Sequence, residues 1–191
     1  MNRNESPIGP SPLAIAAAQA AISGVNRYPP TDGGSLVAAL AAHTVIPADR
    51  IGVSVGSDMM LHLLCMVSLA PGRSAVRPIF EMTTPSLVAA EAALSDRAHL
   101  RTMLDLVAKG RAQLVAGLQA LRFSPLPSAA NFITTDLRRT AGPVLRAMAE
   151  QGVLVRGVGD PCYENFLRIT MGLPDENGRA LKALQTASGI N

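Results

Sequence analysis

Residues 51–64 read IGVSVGSDMMLHLL. A short β-type run stops at Gly56, and Ser57 and Asp58 then open a stretch with helical spacing of its apolar residues. A strand that turns through glycine into a helix start leaves backbone amides without partners, all pointing the same way. With the helix dipole behind them, such amides suit an anion, most often a phosphate. The same residues also make a plain strand-to-helix turn. The rest of the chain has to decide between the two readings.

The bulk composition narrows the choice. With 48% hydrophobic and 16% charged residues over 191 positions, the chain can build a core and is not a disordered polymer. Aromatics are only 3% and Trp is absent, so the core should be aliphatic, with helices packed closely on small side chains. The net charge is +3, and every basic residue except Lys109 and Lys182 is an arginine. The arginines are scattered, without the basic stripe or aromatic platform that nucleic acid needs.

Cys65 lies in an apolar helical stretch and should be a buried, inert thiol. With Cys162 it makes neither a disulfide framework nor a metal spacing. His43, His62 and His99 have no partners at ligand spacing, so no metal is expected. The segment LAIAAAQAAI (13–22) imitates the apolar part of a signal peptide. It follows Glu5 and three prolines, however, and Gln19 interrupts it. No run reaches the ~18 apolar residues that span a bilayer. A cytoplasmic protein without membrane contact is expected.

Along the chain, MNRNESPIGPSP (1–12) reads as an extended loop, and Ser11-Pro12 as a helix start running to about Ile22. NRYPPTDGG (26–34) is irregular, and Ser35 should cap the next helix. After the predicted strand 51–55, a third helix is expected over 58–69, ended by Pro71-Gly72. The pattern changes from Arg73 onward. Pro85-Ser86 opens another helix, and a long one follows over 97–121, with a possible break at Gly110. Its apolar face holds Leu100, Leu104, Val107, Leu114, Leu118 and Leu121. The last 70 residues alternate: strand SAANFITTDL, helix AGPVLRAMAEQ, strands VLVRGV and NFLRITMGL, helix DENGRALKALQTA. This is a small α/β layer in which the last two strands can pair antiparallel.

NRNESPIGPSP (2–12), NRYPPTDG (26–33) and GSDMMLHLL (56–64) follow one another in an order and spacing that resemble the start of pyridoxal-phosphate (PLP)-dependent aminotransferases. The resemblance is to the histidinol-phosphate aminotransferase family of fold type I. SAANF (128–132), GVLVRGV (152–158) and NFLRITMGLPDEN (165–177) resemble that family's closing domain. VRPIFEMTTPSLVAAEAAL (76–94) is similar to the segment after its catalytic lysine region.

The resemblance implies an α/β fold of fold type I, here incomplete. The implied parts are an N-terminal arm with cofactor and substrate loops (1–32), a remnant of the large cofactor-binding domain (33–72), a junction and helix (73–96), and the small C-terminal domain (97–191). It implies that Gly56, Ser57 and Asp58 bind the phosphate of PLP, and that Tyr28 reaches it across a homodimer. Asn4, Asn131, Arg156 and Arg168 would bind the substrate, with Asn131 supporting its neighbours.

Plainer readings stand beside these. Tyr28 can be a wedge pinning a proline loop, and Asn4 a loop residue bonded to local backbone. Arg156 and Arg168 can be structural partners of carboxylates. Even so, a guanidinium on the apolar strand FLRIT is costly unless it meets an anion, and its planar fork suits a carboxylate or phosphate.

Transamination on PLP needs a lysine amine to hold the cofactor's aldehyde and move a proton. Neither Lys109 in VAKGRAQL nor Lys182 in RALKALQ stands in the family's Ser-Lys-x-x-Gly-Leu-Ala-Gly-x-Arg setting. The Asn-Pro-x-x-Pro-Thr-Gly and Asp-x-Tyr segments are also absent. Relative to the family, a central stretch is missing where two blocks meet near residues 72–75, and so is the arm before Asn2. No catalytic residue is therefore assigned.

The expected function is that of a histidinol-phosphate aminotransferase relative, whose family reaction moves an amino group between histidinol phosphate and 2-oxoglutarate, with its chemistry impaired. The alternative is a non-catalytic module that binds a phosphorylated ligand or a full-length homologue. The apolar faces of the helices at 35–46 and 58–69 would lose the layer they cover, which favours association.

Overall fold

The computed structural model describes residues 1, 3–68 and 82–190. The expected helix stop at Pro71-Gly72 and the junction near 72–75 lie outside these residues. The chain divides into two units: an N-terminal one, Pro10–His99, and a C-terminal one, Met1–Gly9 with Leu100–Asn191.

In the N-terminal unit, helix α1 (Pro12–Ala21) runs into a 3-10 turn, Ile22–Gly24. Helices α2 (Gly34–Thr44), α3 (Ser57–Ser68) and α4 (Thr84–Ser95) follow, and α4 packs against α1 and α2. The Ser11 hydroxyl caps α1 as expected, accepting from the Ala14 N–H at 3.3 Å. It also donates to Asp96 Oδ2 at 2.6 Å, and Asp96 Oδ1 accepts from the His99 N–H at 3.0 Å. The Ser11 hydroxyl first, and then the His99 amide, hold the Asp96 carboxyl below its ordinary 3.8.

Three expectations for this unit are corrected. The N-cap of α2 is Gly33, not Ser35. Gly33 has φ +83, and a Cβ there would sit 2.7 Å from methyls of both Val37 and Val53, so only glycine fits. Ser35 instead hydrogen-bonds Glu91. The run 51–55 belongs to no sheet among the described residues; its branched aliphatics carry β propensity, but no strand lies alongside to pair with. Finally, Cys65 is exposed, because helix α3 leaves this face uncovered along with Leu61 and Leu64.

The C-terminal unit contains most of α5 (Arg97–Ala120), then β1 (Ser124–Pro125), β2 (Phe132–Asp136), α6 (Ala141–Glu150), β3 (Arg156–Gly157), β4 (Phe166–Thr170) and α7 (Pro174–Ser188). The strands form an antiparallel sheet in the order β1-β2-β4-β3. The expected β3–β4 pairing is present, though β3 is much shorter than VLVRGV, and the short strand β1 was not foreseen.

Side chains alternate across the sheet. Ile133, Thr135, Leu167 and Ile169 turn inward, where Leu114 and Leu118 of α5, Val144 and Met148 of α6, and Ala180 and Leu184 of α7 complete the core. Helix α5 shows no break at Gly110. The glycine makes room for Asn177: a Cβ at Gly110 would lie 3.2 Å from Asn177 Nδ2. Asn177 is fully buried and closes the turn after β4. Its Oδ1 accepts from the Gly172 N–H at 2.9 Å, and its Nδ2 donates to Gly172 O and to Gln113 Oε1, each at 3.1 Å.

Candidate anion-binding site

The residues of β2 and β4 that do not enter the core form the opposite face of the sheet. Register places Phe132 across from Thr170, Thr134 across from Arg168, and Asp136 across from Phe166. On the other side of β4, Arg156 stands directly opposite Arg168. Like charges at directly opposed positions repel, because cross-strand Cβ atoms lie only about 4.5–5.5 Å apart.

The Arg168 guanidinium lies over the Phe132 ring, 5.0 Å from its centroid, while its buried Nε has no hydrogen-bond partner among the described residues. The ring gives the cation a partial electrostatic partner and leaves its donors available. Arg156 is exposed. The register thus sets two cations opposite each other on this face, an arrangement that an oxyanion would relieve.

The N-terminal segment crosses the end of β4. The Thr170 N–H donates to Met1 O at 3.0 Å. Asn4, at φ 59, is held twice by Thr170: its N–H donates to Thr170 Oγ1 at 3.2 Å, and its Oδ1 accepts from the same hydroxyl at 3.0 Å. Asn131 Nδ2 donates to Asn4 O at 2.9 Å. Of the predicted site residues, Asn4, Asn131, Arg156 and Arg168 therefore all belong to the C-terminal unit, and Asn4 bonds to residues far away in sequence rather than to its own loop. Thr170 and Phe132 were not singled out in the sequence. Their signal is a strand position two removed from Arg168 and the partner opposite it.

Gly56, Ser57, Asp58 and Tyr28 belong to the N-terminal unit. Gly56 has φ +99, and a Cβ would meet nothing within 4 Å, so glycine is required there by conformation and not by space. Its own N–H donates to Ser54 O at 2.8 Å and is spent. The first helical bond runs from the Met60 N–H to Gly56 O, so the amides of Ser57, Asp58 and Met59 precede it. Ser57 and Asp58 are exposed, and Ser57 borders a hollow of about 370 Å3 together with Leu36, Val53 and Met60. Tyr28 is 81% exposed beside Arg27, Pro29 and Pro85. Lys109 on α5 and Lys182 on α7 are both exposed. Among the described residues no group of His, Cys, Asp and Glu is placed to hold a metal, and no helix is long and apolar enough to cross a membrane.

The family model for aminotransferase class I and II matches residues 73–184, more than half of the chain. Histidinol-phosphate aminotransferase 2 of Pseudomonas aeruginosa is 40% identical over 135 residues, covering 71% of this chain and 34% of that protein. The Marinomonas histidinol-phosphate aminotransferase is 32% identical over 175 residues, covering 88% of this chain and 46% of that one. The chain thus spans between a third and a half of the length of these curated relatives.

Among solved structures, histidinol-phosphate aminotransferase from Sinorhizobium meliloti in complex with pyridoxal-5'-phosphate superposes with a TM-score of 0.79 at 16% identity, covering 98% of this chain and 90% of that chain. The Clostridium acetobutylicum enzyme of the same name gives 0.54 at 18% identity over 60% of this chain and 36% of its own. The fold is therefore that of PLP-dependent aminotransferases in incomplete form, and the chain belongs to the aminotransferase class I and II family, as a relative of the histidinol-phosphate aminotransferases.

Proposed function

We propose that this chain binds an amino compound carrying a carboxylate or phosphate, of the histidinol-phosphate type, through Arg168 and Arg156, and that it does not catalyse transamination unaided. The register that sets Arg156 directly opposite Arg168 on β3 and β4 is the observation that carries the binding half of this reading. Arg168 would take the oxyanion through its fork while Phe132 holds the guanidinium plane. Asn4 adds a neutral donor, and Asn131 holds the Asn4 backbone.

The residues present fit one end of PLP only. The amides opening α3, with the Ser57 hydroxyl, suit its phosphate. Its aldehyde needs an amine, and the two lysines of the sequence sit exposed on α5 and α7 of the other unit. No step through the cofactor is derived for this chain. Incubation with PLP followed by borohydride reduction and mass spectrometry is expected to show no stoichiometric pyridoxyl-lysine. Full labelling at Lys109 or Lys182 would overturn the reading.

A second reading, a non-catalytic module that docks on an intact homologue or on its own copy in the cytoplasm, is favoured by the exposure of Leu61 and Leu64 on α3 and of Tyr28. Co-elution with a full-length homologue on a sizing column is its expected outcome, and separate elution counts against it.

A further inference from the structure

Asn4 is held in the left-handed region at φ 59, and the hydroxyl that holds it is buried: Thr170 is 2% exposed. Thr170 Oγ1 accepts the Asn4 backbone N–H, a donor that cannot be reversed. Its own proton must then go to an acceptor, and Asn4 Oδ1 at 3.0 Å takes it. Were the amide turned over, its NH2 would face the same oxygen as a second donor, and the hydroxyl proton would lose this acceptor. Asn131 occupies the remaining acceptor, the Asn4 carbonyl. With its N–H spent and its Oδ1 turned to the Thr170 hydroxyl, Asn4 has its Nδ2 hydrogens as the donors left to offer a ligand. Thr170 and Arg168 share a face of β4, two residues and about 7 Å apart.

We propose that Thr170 is a positioning residue: its hydroxyl holds Asn4 Oδ1, so that the Asn4 amide offers its Nδ2 donors to a ligand oxyanion held by Arg168. The inference rests on the anion-binding reading above and adds the device that sets its selectivity.

Binding of inorganic phosphate to the full chain, followed by calorimetry and by the side-chain amide resonance of Asn4, tests it. Thr170→Val is expected to weaken binding about tenfold, as loss of one hydrogen bond to a charged group does. Thr170→Ser, which keeps the hydroxyl, should bind within about twofold of the parent. Asn4→Asp should bind more weakly than Asn4→Ala, because an oxygen would replace the donor.

Arg168→Ala separates the two readings. If phosphate does not bind, or binds regardless of Arg168, the anion site itself fails and this inference with it. If Arg168→Ala abolishes binding while Thr170→Val binds like the parent, the positioning role alone is overturned. That role is equally overturned if Thr170→Ser fails as badly as Thr170→Val, since the hydroxyl would then not be what matters. Should Thr170→Val not fold, the Asn4→Asp and Asn4→Ala pair decides, and equal or tighter binding by the aspartate overturns the proposal.

Discussion

At the scale of single residues, the molecule holds two arginines against each other across β3 and β4. Like charges so placed cost stability, and under the proposed function a bound anion would offset that cost. Arg156→Gln should therefore stabilise the chain in chloride by about 0.2–1 kcal/mol, the usual size of a cross-strand charge effect. Phosphate at matched ionic strength should raise the melting temperature of the parent more than that of this variant, since a ligand stabilises only the state that binds it. Equal responses in differential scanning fluorimetry would remove the pair from any binding role. Arg168 stayed recognisable in the sequence as a charge on an apolar strand. Thr170 did not, because a threonine in a strand is ordinary until its hydroxyl is seen to bond Asn4, 166 positions away.

At the scale of elements, helix ends and crossings carry the testable energetics. Asn177→Leu would strip partners from both the N–H and the C=O of Gly172 at a buried turn. A loss of about 2–4 kcal/mol in urea unfolding is expected, since each orphaned buried group costs roughly 1–3 kcal/mol. The Ser11–Asp96 contact gives an acid dependence with a definite sign. The folded pKa of Asp96 lies below its unfolded value, so its contribution is complete at neutral pH. That contribution fades as the pH falls from about 3.8 through the lowered folded value. Ser11→Ala should raise the Asp96 pKa, followed by carboxyl NMR titration, and bring acid-induced loss of helix to higher pH in circular dichroism. An unchanged titration would show that the hydroxyl is not the dominant cause.

At the scale of the whole molecule, the two units differ in how much they bury. The C-terminal unit has a continuous core from Leu114 to Leu184. Among the described residues of the N-terminal unit, the buried apolar side chains are Ala14, Leu36 and Leu87. Backbone amides of β4 and α7 should exchange slowest with deuterium, and those of α1–α4 markedly faster, since local opening follows buried apolar contact. Equal protection in both units would contradict this. Val45, Leu61 and Leu64 are all more than half exposed, so Leu61→Gln combined with Leu64→Gln should lower any concentration-dependent association seen by sedimentation.

The sequence by itself determined what is local. The Ser11 cap, the glycine turn at 56, the helix–strand alternation after 121 and the ordered motifs of the family are all set by neighbours along the chain, through propensity, capping and period. Tertiary structure decided what depends on a distant partner. Among the described residues it gave 51–55 no sheet, since β propensity forms no strand without a second strand beside it. It exposed Cys65, since an apolar helix face is buried only where another element covers it. It left Gly110 inside an unbroken helix, since the glycine answers the bulk of Asn177 rather than the needs of its own backbone. It also set Arg156 against Arg168, because strand register, which no spacing along the chain reveals, determines which side chains must share one face.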